Sequence, residues 1–241
     1  MRRVGHKGAD LITPGNTLAS FDSAVQHGAD MIEFDVLPEH LHDRRSCRLV
    51  LAHDYTHDLA AAPTLEQGLD HLVTDPFADV DLDVDLKLPG YEDRVVEALR
   101  ERDLLDRTLV STMYVESVDR VKALEPRLRV GWSVPKARRD YTLSPLWKVP
   151  AYGALQLGRA VLPGRAARTI RSGRCDAFMV YWRLVSPRLV RAIHEAGGEL
   201  YVWTVDDEAQ IRAFEAMGVD EVISNDPRLF GPQAMSQIAA E

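Results

Sequence analysis

Two stretches place carboxylates at a spacing of two. In MIEFDV, Glu33 and Asp35 alternate with Ile32, Phe34 and Val36. In a strand, residues i and i+2 share a face, so the carboxylates project to one side and the apolar residues to the other. Two unpaired charges in an interior are very costly. A divalent cation relieves that cost, and hard oxygen donors suit Mg²⁺ or Ca²⁺. A pair of buried salt bridges to Lys or Arg is the alternative. In DLDVDLKL, Asp81, Asp83, Asp85 and Lys87 share one parity, and Leu82, Val84, Leu86 and Leu88 the other. The acidic parity can complete a metal site, with Asp85 and Lys87 nearest the C-terminal end of the strand. Asp81 and Asp83 lie lower, in a structural network or ahead of the strand. A lysine beside such a site suits a phosphate as a point charge. His6 and His53 each end a short β-rich run. Imidazole titrates near neutrality, so one ring can accept a proton while the other donates; a structural role is the alternative for each. The remaining histidines, His27, His40, His42, His57, His71 and His194, fall in expected loops or helices.

Residues so spread along the chain need a scaffold that gathers strand ends. Eight strands are expected, beginning near residues 2, 31, 80, 108, 128, 177, 199 and 221. Amphipathic stretches of helical length separate most of them, as at residues 17–27, where Leu18, Phe21, Ala24 and Val25 follow a helical period. Gly28, Gly197 and Gly218 stand where helices should stop. Strand–helix alternation means a parallel sheet covered by helices. Eight units in 241 residues fit a single-domain (β/α)8 TIM barrel spanning residues 1–241. A doubly wound sheet is disfavoured by the lack of GxGxxG after the first strand. The run at residues 48–52 reads as a hairpin extension of the second strand. Residues 135–174 read as a capping excursion over one barrel face. Barrel active sites lie at the C-terminal ends of the strands, where His6, Glu33, Asp35, His53, Asp85 and Lys87 are expected.

With 37 acidic and 29 basic residues, the net charge of −8 does not suit general nucleic-acid binding, which neutralises phosphates with Lys and Arg. Two cysteines without CxxC argue against a disulfide scaffold or zinc ribbon. No apolar stretch follows the basic N-terminus, and the apolar region around residues 143–163 is interrupted by Lys148, Arg159 and three prolines. A signal peptide and a membrane-spanning helix are therefore not expected, and a cytoplasmic location is. Oligomeric state is not legible.

The segments HKG, PGNTLASFDSAVQHGADMIEFDV, LVLAHD, PTLEQGLDHL, DLKL, VWTVDD and GVDEVISNDP follow one another in an order that resembles the glycerophosphodiester phosphodiesterase family, from His6 to Pro227. The resemblance implies a TIM-barrel enzyme that hydrolyses a small-molecule glycerophosphodiester to glycerol 3-phosphate and an alcohol, using one divalent metal ion. It implies His6 and His53 as the acid/base pair, and Glu33, Asp35 and Asp85 as metal ligands. Lys87 matches the phosphate-contacting lysine, Lys7 takes the place of the family's arginine, and Trp203 matches an aromatic that lines the pocket.

Three residues depart from the family's pattern. Lys7 stands for arginine and loses the bidentate fork. Gly15 replaces the glutamate of PENT, which removes a polar contact near the site. Asp85 is one methylene shorter than the usual glutamate. The helical insertion common after the HD motif is also reduced, with eight residues between Asp54 and PTLEQ. Sphingomyelinase D-like or lysophospholipase D chemistry is the rival activity. A barrel that binds phosphodiesters with little turnover, and a membrane-surface role for residues 143–162, are the other rivals.

Overall fold

The computed structural model describes residues 1–136 and 148–231. Its strands are β1 Arg2–Gly5, β2 Met31–Pro38, β3 Leu49–Leu51, β4 Asp81–Leu86, β5 Thr108–Thr112, β6 Arg129–Val134, β7 Ala177–Tyr181, β8 Glu199–Trp203 and β9 Glu221–Ser224. All but β3 run parallel, and β1 pairs with both β9 and β2, which closes an eight-stranded barrel. β3 lies antiparallel on β2 with Val36 opposite Leu51, the hairpin extension expected from sequence. Helices α1 Leu18–Gln26, α2 Leu65–Leu72, α3 Glu92–Arg100, α4 Val115–Leu124, α5 Lys148–Arg171, α6 Pro187–His194 and α7 Glu208–Met217 cover the outside.

The helices start where short polar side chains satisfy free amides. Thr17, Thr64, Ser186 and Asp207 each cap the amide three residues on, and Gln67 closes a capping box with Thr64. Gly218, at φ 81°, ends α7 in the left-handed region that glycine adopts freely.

Strand parity separates two cores. Ile32, Phe34, Val36, Val84 and Leu86 face outward into the large core shared with the helices. Inside the barrel, Val4, Met31, Leu109, Ala177, Met179, Tyr201 and Ile223 form a smaller apolar cluster. It divides the interior into a charged lower end and a charged mouth.

The stretch expected as a capping excursion holds a 24-residue helix, α5, in the regular position after β6. Its signal is obscured because its apolar residues do not follow one stripe and because Pro163 lies within it. Residues 137–147, the rest of the expected cap, lie outside the described residues. No helix among the described residues is long and apolar enough to cross a membrane.

Candidate active site

The register of β2 against β4 sets Asp35 beside Asp85 and Glu33 beside Asp83. Side chains of the inward parity converge, and Glu33, Asp35 and Asp85 present carboxylate oxygens all within 4.8 Å of one another. Glu33 and Asp35 are buried, and Asp35 has no exposed surface. Among the described residues, Lys87 is the one lysine or arginine whose side chain contacts the trio. Lys87 Nζ pairs with Asp35 Oδ1 and lies 2.5 Å from Asp85 Oδ2.

This surplus of negative charge and the burial of the group set which carboxyls hold protons. Burial, reinforced by Asp35, raises the Glu33 carboxyl well above the ordinary carboxylate range. For Asp35 burial acts in the same direction, but Lys87, His53 and His6 outweigh it and hold that carboxyl far below its ordinary value. Lys87 stays charged despite burial because Asp35 and Asp85 face it. Asp85 Oδ1 accepts no hydrogen bond from the described residues. Three clustered hard oxygen donors with an uncompensated charge fit a divalent cation such as Mg²⁺ or Ca²⁺.

Two asparagines and a tight loop position these groups. Asn16 Nδ2 donates to Asp35 Oδ2 at 2.8 Å, and its Oδ1 accepts from the Asp35 amide at 3.0 Å. The loop after β1 turns through Lys7 at φ 51° and Gly8 at φ 86°. A Cβ at Gly8 would meet the Ser20 backbone at 2.6 Å, so the HKG turn requires glycine there. This turn aims the Lys7 amide at Glu33 Oε2, 2.8 Å away.

His6 Nδ1 lies 2.5 Å from Asn225 Oδ1. The Asn225 amide nitrogen donates to Asp206 Oδ2 at 2.6 Å, and Asp206 Oδ1 also accepts from the Asn225 backbone amide. With the Asn225 nitrogen committed, its oxygen faces the ring, so Nδ1 carries the proton and Nε2 keeps its lone pair. Nε2 lies 3.8 Å from Glu33 Oε2. Burial lowers the affinity of His6 for a second proton, against the pull of Asp35. His53 is more open, with 49% of its side chain exposed and Nδ1 3.3 Å from Asp54. Asp54 is anchored by the Thr56 hydroxyl and amide, which hold its carboxyl below the ordinary range.

His6, Glu33, His53, Asp85, Lys87 and Trp203 line a single cavity at the barrel mouth. Trp203 packs against Tyr181 with ring centroids 5.6 Å apart, and its Nε1 has no acceptor among the described residues. On the cavity floor, Asp83 is fully buried, and burial holds its carboxyl well above the ordinary range in spite of the Ser111 hydroxyl. Asp81, one layer lower, pairs with Arg2.

The Lys7 ammonium turns aside to Asp10 Oδ2, 3.0 Å away, while Asp10 Oδ1 accepts from the Gly15 amide at 2.9 Å. A Cβ at Gly15 would lie 2.5 Å from that oxygen. Gly15 thus leaves room for Asp10 to supply a carboxylate to Lys7. Asn16, Asn225, Asp206 and Asp10 escaped the reading of the sequence for chemistry. Asn16, Asp206 and Asn225 fall within the motif segments PGNT, VWTVDD and ISNDP, and all four sit in loops after strands or before a helix.

The Glycerophosphoryl diester phosphodiesterase family matches this chain over residues 6–101 and 39–229. A glycerophosphodiester phosphodiesterase of Caldanaerobacter subterraneus is 24% identical over 257 residues, covering 93% of each chain. Among solved structures, a glycerophosphodiester phosphodiesterase from Parabacteroides distasonis superposes with a TM-score of 0.71 at 18% identity, over 94% of this chain and 93% of its own. A phosphodiesterase from Oleispira antarctica, solved with the product sn-glycerol-3-phosphate, has a TM-score of 0.67 at 20% identity, covering 95% and 94%. This chain belongs to the glycerophosphoryl diester phosphodiesterase family.

Proposed function

We propose that the protein hydrolyses a glycerophosphodiester to glycerol 3-phosphate and an alcohol. The observation that carries this reading is one cavity lined by two histidines, Glu33, Asp85 and Lys87, with the buried Asp35 completing an under-compensated carboxylate trio behind it. Glu33, Asp35 and Asp85 would hold a divalent cation, Mg²⁺ or Ca²⁺. When bound it supplies Lewis-acid stabilisation of charge on the phosphoryl group. Lys87 adds a fixed positive charge at the same wall. His6 and His53 exchange protons with the nucleophile and the leaving alkoxide, one accepting and one donating. Asn225, held by Asp206, keeps His6 in the tautomer that offers Nε2 to the cavity. Asn16 and the Lys7 amide fix two of the three carboxylates. Lys7 reaches phosphate only by giving up Asp10, so its contribution is smaller than that of Lys87. Trp203 forms the apolar wall against the organic part of the substrate.

The test is product analysis on a panel of diesters with choline, ethanolamine, inositol and glycerol head groups, with lysophosphatidylcholine and sphingomyelin as further arms. Release of glycerol 3-phosphate from the soluble diesters is the expected result. Hydrolysis confined to the lipid arms would replace this reading with lysophospholipase D or sphingomyelinase D-like activity. Binding of the diesters without product would replace it with a binding role.

A further inference from the structure

The outer face of α5 differs in chemistry from the rest of this acidic chain. Residues 152–171 contain four arginines and no Asp or Glu. Leu157, Val161, Gly164, Arg168 and Arg171 recur at i, i+4, i+7, i+11 and i+14, which is one stripe of a helix. That stripe faces out. Leu157 is 67% exposed and Val161 54%, and Tyr152 on the preceding turns is 40% exposed. Arg168 and Arg171, with Arg188 and Arg191 on the adjoining α6, are exposed and make no ion pair with any described carboxylate. Arginines elsewhere, such as Arg48, Arg102 and Arg212, are paired.

The position of this face relates it to the cavity. The Arg159 guanidinium donates to the Val185 carbonyl, and Gly158 abuts the Leu184 side chain. Both partners lie in the loop that follows β7, at the mouth, so the turns of α5 before residue 158 stand at or past the rim. Across the closed barrel from β6, the loop after β1 exposes Leu11, at 62%. Leu157 and Leu11 therefore stand on opposite sides of the opening. Arg168 lies about 16 Å along the helix from Leu157, and its side chain leans toward the helix N-terminus, hence toward the mouth.

An exposed apolar rim backed by unpaired arginines is the pattern of a peripheral membrane surface. The apolar groups enter the interface, and the cations remain at the level of anionic head groups. We propose that the protein docks reversibly on anionic bilayers through the mouth end of α5 and the Leu11 loop, with the cavity opening toward the lipid. This goes beyond the proposed hydrolysis and rests on surface chemistry alone, so either can fail without the other.

The experiment is co-sedimentation with vesicles of 70% phosphatidylcholine and 30% phosphatidylglycerol, and with pure phosphatidylcholine vesicles. It compares the parent protein with Leu157→Glu/Val161→Glu and with Arg168→Glu/Arg188→Glu. Circular dichroism and thermal unfolding verify that both variants fold. The parent should bind the mixed vesicles and not the neutral ones, and binding should fall steeply with added salt. Each double variant should weaken binding by about thirtyfold or more. The proposal is overturned if the parent does not sediment with the mixed vesicles, or if both variants bind as the parent does. It is also overturned if the parent shows no vesicle binding and Leu157→Glu/Val161→Glu converts a dimer to a monomer, which would make the face a contact between copies.

Discussion

The two ends of the barrel interior are both charged, and they solve the problem of buried charge in different ways. At the lower end, Arg2 pairs with Asp81 and Glu221, and Arg129 pairs with Glu199 and donates to the Tyr201 hydroxyl at 2.8 Å. Each carboxylate there touches a guanidinium. At the mouth, Asp35 and Asp85 share Lys87, Glu33 lies 3.8 Å from His6 Nε2, and Asp83 is beneath them. Charges matched within the chain hold a barrel closed; charges left unmatched around a cavity call for something from outside. Conserving volume while changing charge should therefore affect stability at one end and ligand binding or turnover at the other.

The largest expected effect is at the mouth. Replacing His6 or His53 by Ala should lower kcat by about 10²- to 10⁴-fold, with thermal unfolding close to that of the parent. A large drop in unfolding temperature with turnover retained would reverse the comparison.

The lower end offers a pH test. Burial, partly offset by Arg2, raises the Glu221 carboxyl to about 7. Its ordinary value is lower, so the folded state holds a proton that the unfolded state has released. That contribution is complete below about pH 4.5 and is lost as pH rises through about 7. The span corresponds to about 3 kcal/mol. Glu221→Gln should flatten the fall in stability across this window in denaturant titrations at several pH values, with activity per folded molecule unchanged. An unaltered pH profile would show that Glu221 is ionised in the fold.

A third expectation sharpens the contrast through stability alone. Mg²⁺ or Ca²⁺ at a hundred times its dissociation constant should stabilise the protein by about 2.7 kcal/mol. Asp35→Asn should abolish that gain in thermal unfolding, and Glu221→Gln should leave it intact. Equal gains in all three proteins would place the cation elsewhere.

The smallest effect concerns orientation. Asn225→Ala frees His6 Nδ1 and should lower kcat by about tenfold, less than loss of the ring. The acidic limb of the pH–rate profile should shift with it. A purely structural Asn225 would lower stability and leave that limb in place.

The parts of this arrangement legible in the sequence are those governed by strand periodicity. Parity alone puts Glu33, Asp35, Asp85 and Lys87 inside the barrel, because the alternate residues Phe34, Val84 and Leu86 must face the helices. His6 and His53 were legible as strand ends. The positioning residues were not, because their contacts join loops far apart in the chain: His6 and Asn225 are 219 residues apart. The direction of the Lys7 ammonium depended on a left-handed turn and on Asp10, neither of which periodicity reports. Helix α5 was hidden because its apolar residues serve two faces, one packed on the barrel through Leu162, Ala166 and Ile170, and one exposed.

The most direct measurement is release of glycerol 3-phosphate from a soluble glycerophosphodiester with Mg²⁺, with Ca²⁺ and with EDTA, for the parent, His6→Ala and Glu221→Gln. If the mouth is the catalytic site, release needs a divalent cation, is lost in His6→Ala and persists in Glu221→Gln. Release by the parent that survives EDTA, or that His6→Ala retains in full, would contradict that assignment.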